Sequence, residues 1–252
     1  MQVTSHEPGT FCWAELSTSD SDGAKAFYKA ILGWEYTDNP MGPDMVYTMI
    51  DVGGSVVGAL YQDNSGQKPP CWGTYISVTS ADEAAETVKA NGGTLIAEPF
   101  DVMTVGRMAV VQDPTGAVFS IWQAKDHFGY ALEYEPGAVC WNELMTRDTA
   151  AAEKFYTSVF GYGIKQSMMP MPYTEFQLDG KSIAGMLAMK PDMENVPPHW
   201  LIYFAVPNCC AAVDNAKSLG GEVLFGPFAV PNVGNIAVLK DPQGVAFGIA
   251  GE

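Results

Sequence analysis

The chain has 252 residues and is 47% hydrophobic, enough apolar material for two cores of ordinary domain size. Thirteen Lys plus Arg stand against 29 Asp plus Glu, a net charge of −16 that would repel phosphate backbones and anionic lipid. No apolar run approaches the ~18–20 residues of a membrane span and no leader pattern opens the chain, so a soluble cytoplasmic protein, monomeric or homodimeric, is expected.

Taken in chain order, Thr10 to Ser17 alternates as a strand does, and Asp20 follows as a helix N-cap. Ala24, Phe27, Tyr28, Ile31 and Leu32 then fall on one helix face, which Gly33 ends. Strands are expected over Val46 to Val52 and Ser55 to Tyr61, joined at Gly53-Gly54. A second piece starts at Trp72, with a strand over Gly73 to Thr79 and a helix over Ala81 to Ala90 closed by Asn91-Gly92-Gly93. Strands near Thr94 to Glu98, Arg107 to Gln112 and Ala117 to Gln123 complete it, with a turn at Asp113-Pro114-Thr115-Gly116.

All of this recurs at an offset of 128 residues. Glu7-Pro8-Gly9, Cys12-Trp13, Glu15-Leu16, Thr18 and Asp20 return as Glu135-Pro136-Gly137, Cys140-Trp141, Glu143-Leu144, Thr146 and Asp148. Phe27-Tyr28 meets Phe155-Tyr156, Pro69-Pro70 with Trp72 meets Pro197-Pro198 with Trp200, and Gly92-Gly93 meets Gly220-Gly221. Asp113-Pro114 with Gly116 meets Asp241-Pro242 with Gly244. Helices are expected near Asp148 to Phe160 and Cys210 to Leu219. One register held from end to end means a duplicated unit, with domains at 1–126 and 127–252. The connector, Gln123 to Glu135, is short and aromatic, so the halves should pack together.

The order of these motifs, seen twice, resembles the vicinal oxygen chelate superfamily of glyoxalase I, bleomycin and fosfomycin resistance proteins and extradiol dioxygenases. More narrowly, it is similar to two-domain glyoxalase-like proteins of actinobacteria. The resemblance implies an α+β fold: four βαβββ modules paired into two tandem domains, each a curved mixed sheet with a concave cup. In the family's enzymes a divalent metal sits in that cup on His, Gln and Glu ligands and works as a Lewis acid or redox centre. Carried over residue by residue, the ligand places fall on Trp13, Gly73 and Ser120, and on Trp141, Leu201 and Gly248. None of these is a strong ligand, so no metal or other cofactor is expected, although the family leaves a divalent ion open. The histidines His6, His127 and His199 stand at no ligand place, and only a one-residue slip would turn His199 inward. The five cysteines form no Cys-x-x-Cys pair and read as structural or incidental.

Strand alternation puts Trp13 with Glu15, and Trp141 with Glu143, on the cup side. A carboxylate there is either a general base or ligand acceptor, or a structural group holding backbone N–H or an Arg such as Arg107. Trp72, Tyr75, Ser120, Trp122, Tyr173, His199, Trp200 and Tyr203 join Trp13 and Trp141 as candidate ligand-binding residues, with core filling as the alternative. Phe27, Tyr28, Phe155 and Tyr156 read as core. Met168 to Met171 is either an adaptable lining or a packed surface loop. Three functions remain: a metal-independent small-molecule binder like the drug-sequestering members, a glyoxalase-like lyase or isomerase or an oxygenase, or a regulatory scaffold with filled cups.

Overall fold

The computed structural model describes residues 1–43, 45–66, 68–168 and 171–252. The first half runs β1 (Phe11–Thr18), α1 (Ser21–Leu32), β2 (Glu35–Gly42), β3 (Met45–Val52), β4 (Ser55–Gln62), then β5 (Cys71–Ser77), α2 (Ala81–Ala90), β6 (Thr94–Val102), β7 (Gly106–Gln112) and β8 (Val118–Ala124). The second half repeats the order as β9 (Val139–Thr146), α3 (Thr149–Phe160), β10 (Gly163–Ser167), β11 (Tyr173–Leu178) and β12 (Lys181–Ala188). Its second module is β13 (His199–Ala205), α4 (Cys209–Ser218), β14 (Glu222–Val230), β15 (Gly234–Lys240) and β16 (Ala246–Gly251).

Each half is one mixed eight-stranded sheet, ordered β2-β3-β4-β1-β5-β8-β7-β6 and β10-β11-β12-β9-β13-β16-β15-β14. The two modules of a half meet at the central antiparallel pair, β1 with β5 and β9 with β13. The fold is therefore α+β, two tandem copies of a paired βαβββ unit. One strand per half escapes the sequence reading. Strand β2 is exposed along almost its whole length and carries Asp38-Asn39-Pro40, so no apolar alternation marks it, and it forms an outer edge where Pro is tolerated. Its counterpart β10 is similarly polar and at an edge.

Local signals set the helices. Asp20 caps α1 by accepting the Gly23 N–H at 3.0 Å, and Asp148 caps α3 from Ala151 at 2.9 Å. Gly33 and Gly161 end these helices with φ near +73° and +71°, a conformation that side chains with a Cβ avoid.

The halves pack through their helical faces, and the recurring motifs meet there. Tyr28 of α1 donates to Asp241 in the second half at 3.0 Å, and Tyr156 of α3 returns the bond to Asp113 at 2.9 Å. Each tyrosine also accepts from an indole, Trp72 at 3.0 Å and Trp200 at 2.9 Å. Phe27 packs on Phe247 and on the bare face of Gly221, while Phe155 lies beside Gly93. Thus α1 shares a core with residues of the second sheet as well as its own, and α3 with residues of the first. No helix among the described residues is long and apolar enough to cross a membrane.

Candidate ligand-binding cups

A β-bulge builds the cup floor in both halves. In β1 the register slips between Phe11, which faces Ile76, and Trp13, which faces Tyr75. Phe11 and Trp13 therefore point to opposite sides although they are two residues apart: Phe11 packs on Trp200 in the seam, and Trp13 joins the cup. The same slip lies on β9 between Val139 and Trp141, opposite Tyr203/Phe204. The cysteine at each slip points its thiol at a backbone carbonyl, Cys12 to Tyr75 at 3.6 Å and Cys140 to Tyr203 at 3.4 Å. Burial holds both thiols in the neutral form, the Cys140 thiol being pushed up to about 12.

Beyond the bulge, each half holds one carboxylate between two phenols. Tyr47 donates to Glu15 at 2.6 Å and Tyr75 donates to its other oxygen at 3.0 Å, while the Trp13 indole N–H donates to the Tyr47 oxygen at 3.3 Å. In the second half Tyr173 and Tyr203 donate to the two oxygens of Glu143 at 3.0 and 3.1 Å, and Trp141 donates to Tyr173 at 2.8 Å. Every donor in the chain points toward the carboxylate. Neither Glu15 nor Glu143 has an ion-pair partner among the described residues. Arg107, the sequence candidate for that role, instead binds Asp82 through two 2.8 Å bonds. Burial raises both carboxyls above their usual range, and the tyrosine donors pull them partly back.

The other expected residues divide between two places. Ser120 faces Tyr75 across the β5–β8 pair, and Trp122 lies on the same side, its ring 6.4 Å from Tyr75. The ring of His127, from the connector, stands edge-on to Trp13 at 4.6 Å, and its Nε2 has no partner among the described residues. Tyr130 and Ala131 of that connector bond Cys12 and Val56, closing the gap between β1 and β4. His199 opposes Met145, in line with Leu201 opposite Glu143, so it stands on the cup side at the end of β13. His6 lies against Tyr130, away from the floor.

Trp72 and Trp200, grouped with the cup from sequence, lie elsewhere. They pair with Leu16 and Leu144, one position out of phase with the glutamates, and their rings fill the seam between the halves. Tyr47, an aromatic that the sequence places near the strands with Tyr75, Tyr173 and Tyr203, completes the first floor. It matches Tyr173 at an offset of 126 rather than 128, so the repeat register hides it. Met169 and Pro170 of the methionine-rich stretch lie outside the described residues.

The family's metal does not fit the donors these cups offer. No group of three or more His, Cys, Asp or Glu among the described residues is placed to hold an ion. Around each glutamate the carboxylate oxygens each accept from a tyrosine hydroxyl, and the neighbouring indole N–H donates to one of those tyrosines, so the surroundings supply hydrogen-bond donors rather than further metal ligands. Two surface hollows, of about 310 and 230 Å³, lie between α2 and α3 and touch neither carboxyl.

Comparison with known proteins agrees with this architecture. The sequence profile of the Glyoxalase/Bleomycin resistance protein/Dioxygenase superfamily matches residues 10–134 and again 138–249. The chain belongs to that superfamily. It is 38% identical to CFP32 of Mycobacterium bovis and Mycobacterium tuberculosis, provisionally named a glyoxylase, over 97% of this chain and 95% of theirs. It is 31% identical to the anthracycline biosynthesis protein DnrV of Streptomyces peucetius, over 98% of this chain and 94% of that one. Among solved structures, the Mn(II)-bound glyoxalase of Novosphingobium aromaticivorans superposes with a TM-score of 0.68 at 15% identity, covering 97% of this chain and 82% of its own. The 2,3-dioxygenase LapB of Pseudomonas sp. KL28 gives 0.67 at 14%, covering 98% and 94%. At such identities the likeness is one of fold.

Proposed function

We propose that this protein binds a small, flat organic molecule in its cups, using a carboxylate set between two phenols where the family's enzymes use a divalent metal. The carrying observation is that Glu15 and Glu143 are held by identical tyrosine pairs yet meet no cation among the described residues. A carboxylate oxygen accepts more than one hydrogen bond. With one place on each oxygen taken by tyrosine, the remaining acceptor capacity suits a ligand N–H or O–H. Burying a carboxylate costs several kcal/mol, roughly, unless donors compensate, and a ligand donor adds to the two already present. The aromatic surroundings of the floors, Trp13 with Tyr47 and Trp141 with Tyr173, suit a planar ring. The name of the relative DnrV, an anthracycline biosynthesis protein, is in keeping with a fused aromatic ligand.

A second reading has the same groups in catalysis. A carboxyl raised by burial takes up a proton more readily than a solvated one, as a general base in an isomerase or lyase step would. Thermal shift against 1-naphthol, 1-aminoanthracene and methylglyoxal hemithioacetal tests the binding reading. At least one aromatic donor is expected to raise Tm in the parent protein and to lose that effect in the Glu15→Gln/Glu143→Gln double variant. No shift from any of them would remove the proposal. Turnover of the hemithioacetal, lost in the double variant, would favour the catalytic reading instead.

A further inference from the structure

The duplicated floors are not equally open, and the difference rests on a few residues. Opposite Glu15 in β5 stands Gly73, and opposite Glu143 in β13 stands Leu201. A Cβ placed on Gly73 would meet only the Glu15 carbonyl oxygen, at 3.7 Å, so the space beside it is empty. In the second half that space belongs to Leu201, which is 5% exposed, and Glu143 beneath is only 6% exposed. Glu15 is only partly buried by the same measure.

Other exchanges follow the same direction. At the end of the first floor lie Ser17 and Cys71, paired across β1 and β5, with Tyr61, whose hydroxyl meets Ser17 and feels the Glu15 charge. In the second half Met145 and Leu187 stand where the first has the hydroxyls of Ser17 and Tyr61, and His199 stands in place of Cys71. Tyr173 lies over Gly185 and Tyr203 over Gly248 so closely that a Cβ on either glycine would collide with the ring. Lys190, in the segment after β12, lies over the Phe225 ring on β14 at 5.3 Å, joining distant parts of the second sheet.

We propose that the first cup alone is the working site, a notch at Gly73 that admits the donor edge of a flat aromatic amine or phenol onto Glu15, and that Leu201 closes the second. This rests on the binding reading above and assigns it to one half. The acceptor at the notch is a carboxylate with no cation among the described residues, its rim is hydroxyl and thiol, and its side walls are Trp13, Tyr47 and Tyr75. A ligand edge bearing O–H or N–H satisfies that set, whereas an anionic group would face the Glu15 charge directly.

Fluorescence titration with 1-aminoanthracene, whose emission rises in apolar sites, tests the assignment. The parent protein is expected to saturate at one equivalent per chain. Gly73→Leu, which copies the residue already tolerated at position 201, should weaken binding tenfold or more with Tm unchanged. Glu15→Gln, which keeps the side-chain volume, should produce a comparable loss. Leu201→Ala should add a second equivalent while leaving the first at parental affinity. Two equivalents in the parent, or a single equivalent that ignores both Gly73→Leu and Glu15→Gln, would overturn the one-cup assignment and leave ligand binding standing. Absence of any binding by the parent would remove both.

Discussion

The hydroxyl of Tyr28 in the first half donates to the carboxylate of Asp241 in the second, 213 residues away, at 3.0 Å. Tyr156 and Asp113 form the mirror image of that bond, so motifs that look local in sequence are the two-sided joint of the molecule. The Asp side chains do double duty there. Asp113 takes the N–H groups of Thr115, Gly116 and Ala117 on one oxygen and Tyr156 on the other. Asp241 holds Gln243 and Val245 in the same way.

Removing either tyrosine hydroxyl strands a buried carboxylate oxygen and a tryptophan N–H together. Tyr28→Phe and Tyr156→Phe should each lower unfolding free energy by about 2 kcal/mol, a Tm decrease of roughly 4–8 °C for a chain this size. Urea melts check this, and a loss near zero for both would show that the joint is held by ring packing alone.

Two glycines that occupy matching floors should respond in opposite ways to one methyl group. Gly185→Ala would drive a Cβ into Tyr173 and bring it within 2.9 Å of the Trp141 indole nitrogen, so it should cost about 1–3 kcal/mol. Gly73→Ala enters open space and should change stability by less than about 0.5 kcal/mol. Thermal melts of the two variants decide it, equal losses being the contrary result.

The buried glutamates should give stability a pH dependence of definite sign. Their folded carboxyls lie above the unfolded value, because burial penalises the charge more than the tyrosines relieve it. The folded state therefore holds its proton longer than the unfolded state. Their contribution is fully present below the unfolded value, near 4.5, and is lost as pH rises through the folded one. Glu143→Gln should flatten the stability curve across that window. A variant curve parallel to the parent's would mean that Glu143 titrates as in the unfolded chain.

The sequence carried the modular plan because core-facing strands and capped helices obey simple periods, and because the repeat displayed them twice. It hid β2, whose Glu35, Asp38 and Pro40 need no buried partner at an outer edge. It also hid which side Trp72 and Trp200 take. Residues flanking a strand end read as cup or seam with equal ease until pairing with Leu16 and Leu144 sets their phase. Glu15 and Glu143 stood out as inward charges and the tyrosines as cup aromatics, but not the hydrogen bonds that join them. Tyr47 lies 32 residues from Glu15 on a strand two places away, and the shortened loop before Tyr173 breaks the repeat register. The reciprocal joint was illegible for a different reason: in one copy Tyr and Asp are simply common core and turn residues, and only the packing of the two copies brings them together.

The most direct test of the carboxylate-for-metal account is to titrate 1-aminoanthracene into the protein before and after exhaustive chelation and dialysis. Equal affinity and stoichiometry in both preparations, with no gain on adding Zn²⁺, Ni²⁺, Mn²⁺ or Fe²⁺, is the outcome the account requires. Binding that disappears with the chelator and returns with one of those ions would contradict it.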